Sequence, residues 1–221
     1  MLGIAISTKN RSEFVNRQLL YYASLNCSFT IYLGDSSEGV HLDNIKSGIK
    51  RLKHKLKIVH LILPGIGPSV ANKILLDHIK EKYVVLLGDD DFLIPNALQE
   101  CINFLENNPD YASAKGWGCI FTLNAKGAYG KIETLGEYKG ISAEQDSPSQ
   151  RLYDFLNNYW VPLFSVQRTV QCKKTLVSME MMSDLSLTEI LNGCLTILTR
   201  ALFLDNNGQE VEKPDNCGLH I

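Results

Sequence analysis

Apolar residues in the first half of the chain follow two alternating patterns. Short continuous apolar runs bounded by turn residues predict strands buried on both faces, at residues 2–7, 29–33, 58–63 and 83–87. Apolar residues spaced three or four apart predict a helix after each strand, within residues 14–22, 45–56, 70–79 and 95–105. Such alternation indicates right-handed βαβ units, so we expect a three-layer α/β/α sandwich with a mostly parallel central sheet.

The pattern changes after Pro109, where glycines punctuate a hairpin-like region and the regular alternation ends. Strands are predicted over residues 111–123, 163–169 and 196–204, and helices that open near residue 152 and at 183–189. The second half is thus a smaller α+β part that continues the first. We divide the single domain into residues 1–110 and residues 111–221.

Three adjacent aspartates, at positions 89–91, follow the apolar run 83–87 after a single glycine. In open α/β sheets, ligands bind at the edge where the strands end. Adjacent acids repel one another unless a cation or solvent relieves them, and Mg2+ is often held by one or two carboxylates together with substrate phosphates. The cluster therefore predicts a metal-bridged phosphate site. The alternative is a solvated loop in which Asp91 or Asn96 caps the next helix.

Composition narrows the classes of partner. The chain has 221 residues and a formal net charge of -2, so no global basic field points to nucleic acid. Its six cysteines form no CxxC pair, which argues against a zinc site or a disulfide scaffold and fits a reducing cytosol. No apolar stretch approaches the length of a membrane span. Because the first strand begins at Leu2, the sequence also suits a catalytic segment of a longer protein.

One segment of the chain is strongly basic, although the net charge of the whole chain is slightly negative. Basic residues surround the apolar positions at the end of the second predicted helix, namely Lys46, Lys50, Arg51, Lys53, His54, Lys55 and Lys57. Such a helix could contact an anionic membrane surface, although a basic face of this kind is more often simply solvated. We expect a cytoplasmic protein, with the inner face of the membrane as the alternative position.

Four motifs follow one another along the first half of the chain. They are Ser7-Thr8-Lys9-Asn10-Arg11 after the first strand, Gly34-Asp35-Ser36-Ser37 after the second, Ser69-Val70-Ala71-Asn72-Lys73 at the start of a helix, and Leu87-Gly88-Asp89-Asp90-Asp91 after the fourth strand. Their order and spacing are more specific than any one of them. On these residues the chain resembles the family-2-type, inverting nucleotide-sugar glycosyltransferases of the GT-A fold. The resemblance covers the first half well and the second half loosely.

This resemblance implies a donor site at the carboxyl ends of the strands. The family's positions for the nucleotide base and ribose fall on Thr8, Asn10, Arg11 and Asp35. A further donor contact falls on Asn72, where family members often carry Arg, so that this contact is lost or moved to Lys73.

The Asp-rich motif of the family binds a divalent cation, Mn2+ or Mg2+, that bridges the diphosphate of the donor. By the resemblance, it falls here on Asp89, Asp90 and Asp91, with Asp89 and Asp91 as the candidate metal ligands. We expect Asp91 to be the direct ligand, supported by Asp89 or Asp90 through water or the ribose. Gly88 stands where the family frequently has Asp, which shifts the choice of the two acids that bind metal.

Inversion in one step also needs a general base that removes the proton of the acceptor hydroxyl. The family takes this base from an acid at the start of a helix in the second half, a placement that falls on Asp184 and Glu189. We favour Asp184, because Glu189 lies at capping-box spacing from Ser186 and has a structural role available to it.

We therefore expect a glycosyltransferase that moves a sugar from a nucleotide diphosphate sugar, preferably a UDP-sugar, to a hydroxyl of a saccharide or lipid-linked acceptor. The alternative is a non-catalytic domain of the same fold that binds a nucleotide-sugar or a glycan. A template-copying polymerase needs a basic channel, against which the net charge of -2 argues. A nucleotidyltransferase that makes sugar nucleotides needs a Gly-rich loop bearing Arg and Lys after the first strand, and this loop is absent from the sequence.

Overall fold

The computed structural model describes residues 1–138, 140, 142–177, 185–199 and 201–203. Every strand and helix predicted for the first half is present, although α2 begins and ends closer to the N-terminus than its apolar spacing predicts. In chain order these elements are β1 (Leu2–Thr8), α1 (Ser12–Ser24), β2 (Thr30–Asp35), α2 (Gly39–Leu52), β3 (Lys57–Ile62), α3 (Pro68–His78), β4 (Tyr83–Leu87) and α4 (Pro95–Asn107).

The second half is more broken than its sequence pattern predicts. Its elements are β5 (Ser113–Lys115), β6 (Gly118–Leu123), β7 (Ile132–Tyr138), α5 (Pro148–Asn157), a 3-10 turn (Pro162–Phe164), β8 (Val166–Arg168), α6 (Thr169–Val177), α7 (Leu185–Leu198) and β9 (Ala201–Phe203).

Three expectations for this half are wrong. The strand predicted over residues 111–123 is split into β5 and β6, which belong to different sheets. The strand predicted over 196–204 begins as helix, because α7 continues to Leu198, and among its described residues only β9 is extended. The stretch 163–169 contributes only the three residues of β8, and α6 behind it was not predicted. In the last two cases a short apolar run fits a helix or a strand equally well, and only its neighbours decide between them.

The main sheet has the strand order β3-β2-β1-β4-β8-β5-β9. Strands β1 to β4 pair in parallel, as expected for consecutive βαβ units. β8 runs antiparallel to its neighbours β4 and β5, whereas β5 and β9 are parallel. The predicted mostly parallel sheet is confirmed. The strands of the second half extend it, and the division at residue 110 stays a prediction.

Alternate residues of the central strands face two separate cores. Ile4 of β1 packs with side chains of α1, α2 and α4 on one side of the sheet, whereas Ala5 faces α3 and α6 on the other. Every residue of β4 is buried, so this strand is covered on both faces. The three-layer α/β/α sandwich predicted from the sequence is therefore confirmed.

Helix capping does not account for the acid cluster. The residue before α4 is Ile94, and no side chain caps that helix, so neither Asp91 nor Asn96 has the capping role that the alternative assigned to them. α1 likewise begins after Arg11 without a side-chain cap. The aspartates at positions 89–91 thus need another explanation.

The longest helices in the described ranges, α2 and α7, have 14 residues each. A helix that spans a bilayer needs about 20 apolar residues. None of the helices that the structure describes is long and apolar enough to cross a membrane.

Ile4 tests how strongly the sheet depends on its central core. Its side chain is fully buried between β1 and the helices. Ile4→Ala should lower the free energy of unfolding by about 3 kcal/mol, through lost transfer energy and the cavity left behind. Urea denaturation followed by circular dichroism measures this. Leu20→Ala, at a side chain of α1 that is 50% exposed, is the control and should change the same free energy by about 0.5 kcal/mol or less. Equal losses would contradict this account of the core.

Candidate functional site

The acid cluster lies where the strand order of the sheet reverses direction. β1 and β4 are neighbours at the centre, with β2 and β3 following outward on the side of β1. Ligands of open α/β sheets bind in the crevice outside the carboxyl ends of the strands at such a point. Thr8 ends β1, Asp35 ends β2, and Asp89 is the second residue after β4. The fold thus brings three of the four sequence motifs to one edge.

Asp89 is the buried centre of this edge, with 4% of its side chain exposed. The Thr8 hydroxyl donates a hydrogen bond of 2.6 Å to its Oδ2. The guanidinium of Arg11 lies 2.8 Å from its Oδ1 through Nη1 and 2.8 Å from Asp90 Oδ2 through Nη2. One arginine therefore bridges two of the three carboxylates, and both oxygens of Asp89 are engaged by protein groups.

The electrostatics of the cluster follow from burial and from the adjacency of its acids. Burial raises the pKa of Asp89, and the hydrogen bond from Thr8 and the charge of Arg11 offset this only in part. For Asp91, burial and then the charges of Asp90 and Asp89 raise the pKa. Burial disfavours the charge of Arg11, but its contacts with the aspartates prevail and raise its pKa. A cation brought to these acids would relieve the repulsion that raises the pKa of Asp91.

Gly88 has no side chain, which allows the carboxylates of Asp90 and Asp91 to lie against its main chain. A Cβ atom at this position would stand 2.7 Å from Asp91 Oδ2 and 3.1 Å from Asp90 Oδ1, closer than such atoms pack. Any other residue would therefore push these carboxylates away from the end of β4. The Gly88 that departs from the family pattern has a clear local reason here.

Two polar side chains of α1 hold the main chain of the cluster in place. Gln18 donates through Nε2 to the carbonyl oxygens of Gly88 at 2.8 Å and of Asp91 at 2.6 Å. Arg17 donates to the carbonyl of Asp90 and, from its other terminal nitrogen, to that of Ala128 in the turn between β6 and β7. Neither role is predicted from the sequence. The signal available for them was a pair of polar residues on the core-facing side of an amphipathic helix.

Asp35, predicted to contact the nucleotide, is fully buried and paired. Its Oδ2 lies 2.9 Å from Nε2 of His60 on β3, and its Oδ1 accepts a 2.9 Å hydrogen bond from the Ser37 amide. Burial disfavours its charge, but these two partners prevail and lower the pKa of Asp35. His60 was not among the predicted site residues, since nothing in its local sequence distinguishes it from other residues of an edge strand.

Asn10 joins the loops that follow β1 and β2. It has a positive φ of 55°, a conformation that Asn adopts more readily than most residues. Its backbone N–H donates to the Ser37 hydroxyl at 2.8 Å, and its side-chain oxygen accepts from the backbone N–H of Glu38 at 3.0 Å. In this structure Asn10 thus shapes the rim of the crevice.

A cavity of about 270 Å³ lies beside the acid cluster, and Gly88 belongs to its wall. Asn72 and Ser69 at the start of α3 line it, and so does Glu189 of α7. The remaining wall is mostly apolar, from Leu86, Leu87, Val161, Pro162, Leu163 and Leu176. Mostly apolar concave sites with a few polar groups are typical of small-molecule pockets.

Of the two candidate bases, Glu189 lies at this cavity and Asp184 lies outside the described residues. Glu189 Oε1 accepts a 2.8 Å hydrogen bond from the Tyr159 hydroxyl. Tyr159 is on the segment between α5 and the 3-10 turn, so the contact joins α7 to the opposite wall. The side chain of Ser186, its expected capping partner, is not described.

Lys115 is a buried cation that sequence reasoning missed. It ends β5 with 6% of its surface exposed, and its Nζ donates to the Val161 carbonyl at 3.0 Å. The ring centroids of Tyr138, Phe164 and Trp160 lie 4.5, 5.2 and 5.4 Å from Nζ. Burial lowers the pKa of Lys115 to about 8, and the charge of Asp91 opposes this. Lys115 thus fixes the wall segment that carries Val161.

The described residues of this site could hold a divalent cation only together with oxygen atoms of a substrate. Among the described residues, no group of three His, Cys, Asp or Glu side chains is placed to hold a metal by itself. Asp89 has both oxygens engaged, whereas the Asp91 carboxylate accepts no hydrogen bond within the described part of the chain. A hard cation bound by one carboxylate and completed by substrate phosphates suits this donor set.

The fold of this chain is similar to that of several solved structures. No family model and no curated protein matches the sequence. Among solved structures, that of S. aureus TarS residues 1–349 in complex with UDP-GlcNAc superposes with a TM-score of 0.61 at 16% identity, over 93% of this chain and 56% of TarS 1–349. The same fragment in complex with UDP gives a TM-score of 0.59 at 15% identity. CMP:2-keto-3-deoxy-manno-octonic acid synthetase complexed with CTP gives 0.51 at 8% identity, over 92% of this chain and 89% of that one.

The chain therefore spans little more than half of TarS 1–349, and 35% of the longer TarS structure. The likeness covers both halves of the chain, including the second half, where the sequence motifs gave least support. The GT-A-type fold expected from the four motifs is confirmed.

The depressed pKa of Lys115 gives a stability prediction. Between about 8 and its ordinary value of 10.5, the unfolded chain binds more protons than the folded chain, so the free energy of unfolding rises with pH. Lys115→Met removes this dependence. The free energy of unfolding of the natural protein minus that of the variant should rise by about 2 to 3 kcal/mol from about pH 7 to about pH 10, measured by urea denaturation. Lys126→Met, in the exposed turn between β6 and β7, is the control and should show a constant difference. A constant difference for Lys115→Met as well would rule out a buried charge.

Proposed function

We propose that the chain carries the donor site of an inverting glycosyltransferase that transfers a sugar from a nucleotide diphosphate sugar to an acceptor hydroxyl. One observation carries this proposal. The carboxylate cluster after β4 and the cavity that contains Glu189 adjoin each other, and Gly88 belongs to both. A displacement at an anomeric carbon needs both a group that stabilises the departing phosphate and a base, and this proximity supports the assignment of these two roles to the cluster and to Glu189.

UDP is the nucleotide that the comparisons favour, because the TarS structures contain UDP-GlcNAc and UDP. On this chain the nucleotide would lie along the loops after β1 and β2, against Thr8, Asn10 and Arg11. Asp35 would act from beneath, since its carboxylate is fully buried and shared with His60. Asn72 lines the cavity and would contact the sugar end of the donor.

A Mn2+ or Mg2+ ion would be held by Asp91 together with the donor diphosphate. Each Asp89 oxygen already has a protein partner, Thr8 or Arg11, so we assign direct coordination to Asp91 and an indirect effect on the cation to Asp89. When bound, such an ion stabilises the negative charge that develops on the departing diphosphate. The protein's own part is to keep Asp91 against Gly88, with Gln18 fixing the main chain on both sides.

Glu189 is the base that this proposal assigns. As the acceptor oxygen bonds to the anomeric carbon, its proton passes to a carboxylate oxygen of Glu189, and the bond between that carbon and the diphosphate oxygen breaks. Tyr159 holds Oε1, which leaves Oε2 for the acceptor. The cavity, of about 270 Å³, is large enough for a sugar ring, and most of its wall is apolar. The acceptor is a saccharide or a lipid-linked hydroxyl.

A non-catalytic domain of the same fold remains the competing function. It would bind the nucleotide at the same edge but would not turn over any donor. The nucleotidyltransferase-like match has no support from the first loop, since Thr8-Lys9-Asn10-Arg11 lacks glycine. Turnover of the donor therefore separates the two remaining functions.

Asp91→Asn tests the metal ligand. In isothermal calorimetry with Mn2+, its affinity for UDP should fall by about ten-fold or more, because the cation loses its protein ligand. Without Mn2+, its affinity should equal or exceed that of the natural chain, since one negative charge near the diphosphate is gone. Asp43→Asn, at an exposed acid of α2, is the matched control and should bind UDP unchanged in both conditions. Unchanged UDP affinity of Asp91→Asn in Mn2+ would remove the metal assignment.

Glu189→Gln and Asp184→Asn test the base, in assays of donor turnover with candidate acceptors. Glu189→Gln should lower kcat by about 100-fold or more while UDP affinity is kept, because only proton removal is lost. Asp184→Asn should keep most of its activity. A loss confined to Asp184→Asn would assign the base to Asp184, and no turnover by the natural chain with any UDP-sugar would favour the binding domain.

A further inference from the structure

A dense basic patch lies away from the donor site. We define it by Lys46, Lys50, Arg51, Lys53, Lys55 and Lys57, which belong to α2, to the turn after it and to the first residue of β3. All six side chains are exposed, and so is His54 among them. Residues 46–57 contain no acid, although the whole chain has a net charge of -2. Six positive charges are thus concentrated in one short segment of an acidic protein.

Local structure explains only part of this concentration. Lys50 and Arg51 lie in the last turn of α2, where positive charge is favoured by the helix dipole. Lys53, Lys55 and Lys57 lie beyond the helix and gain nothing comparable, because the effect fades within one turn. No side chain of the basic patch makes an ion pair or hydrogen bond with any residue that the structure describes. The patch therefore repels itself without internal compensation.

The sheet topology separates the patch from the aspartate cluster. α2 leaves the carboxyl end of β2 and returns the chain to the amino end of β3, so its last turn lies at the edge opposite the donor site. The five residues of β4 alone span about 17 Å between these two edges. The patch is thus too far away to contact a donor diphosphate bound at Asp91.

We infer that the basic patch is a docking surface for a membrane that contains anionic lipids. Five of its six cations are lysines on long stems, which suit loose contact with many headgroups rather than forked recognition of one. Residues 46–57 contain no Phe, Tyr or Trp side chain to serve as a stacking platform for nucleic-acid bases. The patch also lies on the end of a helix rather than in a groove.

Attachment through this surface is electrostatic. The apolar side of α2 packs into the core through Ile45, Ile49 and Leu52, so no apolar side of this helix is free to enter the bilayer. Binding should then depend on the anionic fraction of the lipid and on ionic strength. A protein docked in this way presents its donor edge to the aqueous side.

Flotation with lipid vesicles tests the docking surface. The full chain should bind phosphatidylcholine vesicles that contain one third phosphatidylglycerol, and should not bind phosphatidylcholine alone. Raising the ionic strength from about 0.1 M to about 1 M should release it, because the screening length falls from about 10 Å to about 3 Å. The triple variant Lys50→Gln, Lys53→Gln, Lys55→Gln should bind on the order of 100-fold more weakly, at about five-fold for each lysine.

The matched control is Lys126→Gln, Lys131→Gln, Lys174→Gln, which removes three exposed lysines outside the patch and changes net charge equally. It should bind vesicles like the natural chain. Equal weakening by both triple variants would reduce the effect to net charge and overturn the inference. So would binding to neutral vesicles, or binding of single-stranded RNA through the patch without binding of anionic vesicles. UDP affinity, measured on both variants, should not change, which keeps this result separate from the proposed transferase activity.

Discussion

The main constraint on this structure is the negative charge of three adjacent carboxylates, which follow the fully buried strand β4. Asp89 follows β4 into a protein interior that disfavours charge, and the protein answers with Thr8 on one oxygen and Arg11 on the other. Leaving either oxygen without a partner would carry the cost of a buried, unsatisfied charge. Arg11 also reaches Asp90, so a single guanidinium relieves two acids, whereas Asp91 accepts no hydrogen bond within the described part of the chain. The motif after β1 and the motif after β4 are therefore one electrostatic unit.

The elements around this unit maintain its position. Gln18 and Arg17 of α1 bind the carbonyl groups between Gly88 and Asp91, which connects the first helix to the end of β4. Arg17 further stacks on Phe92 and reaches the turn between β6 and β7. The buried side of α1, which also packs into the core, thus holds the loop through these two polar side chains. Arg17 and Gln18 thus position the main chain of the acids, in addition to the contacts that Thr8 and Arg11 make with the carboxylate oxygens.

The second half of the chain builds the cavity from short pieces. Both backbone groups of Val161 are satisfied by side chains, since its amide donates to the Tyr138 hydroxyl and its carbonyl accepts from Lys115. β7, β5 and the segment before the 3-10 turn are joined there, and Tyr159 on the same segment reaches Glu189. A cation is kept inside the protein because aromatic faces and one carbonyl surround it. These contacts shape the cavity that Gly88 shares with the acid cluster, where the proposed transferase has its two reactive groups.

The sequence by itself determined the first half of the fold and the identity of the central acids. Continuous apolar runs and helical spacing fix β1 to β4 and their helices, because burial on both faces leaves a pattern in the sequence that few other arrangements share. Elements of the second half were misplaced where short apolar runs, such as residues 196–204, suit either conformation. Gln18, His60 and Lys115 could not be found in this way. Each acts through a partner distant in sequence, and only the tertiary structure decides which buried polar groups meet.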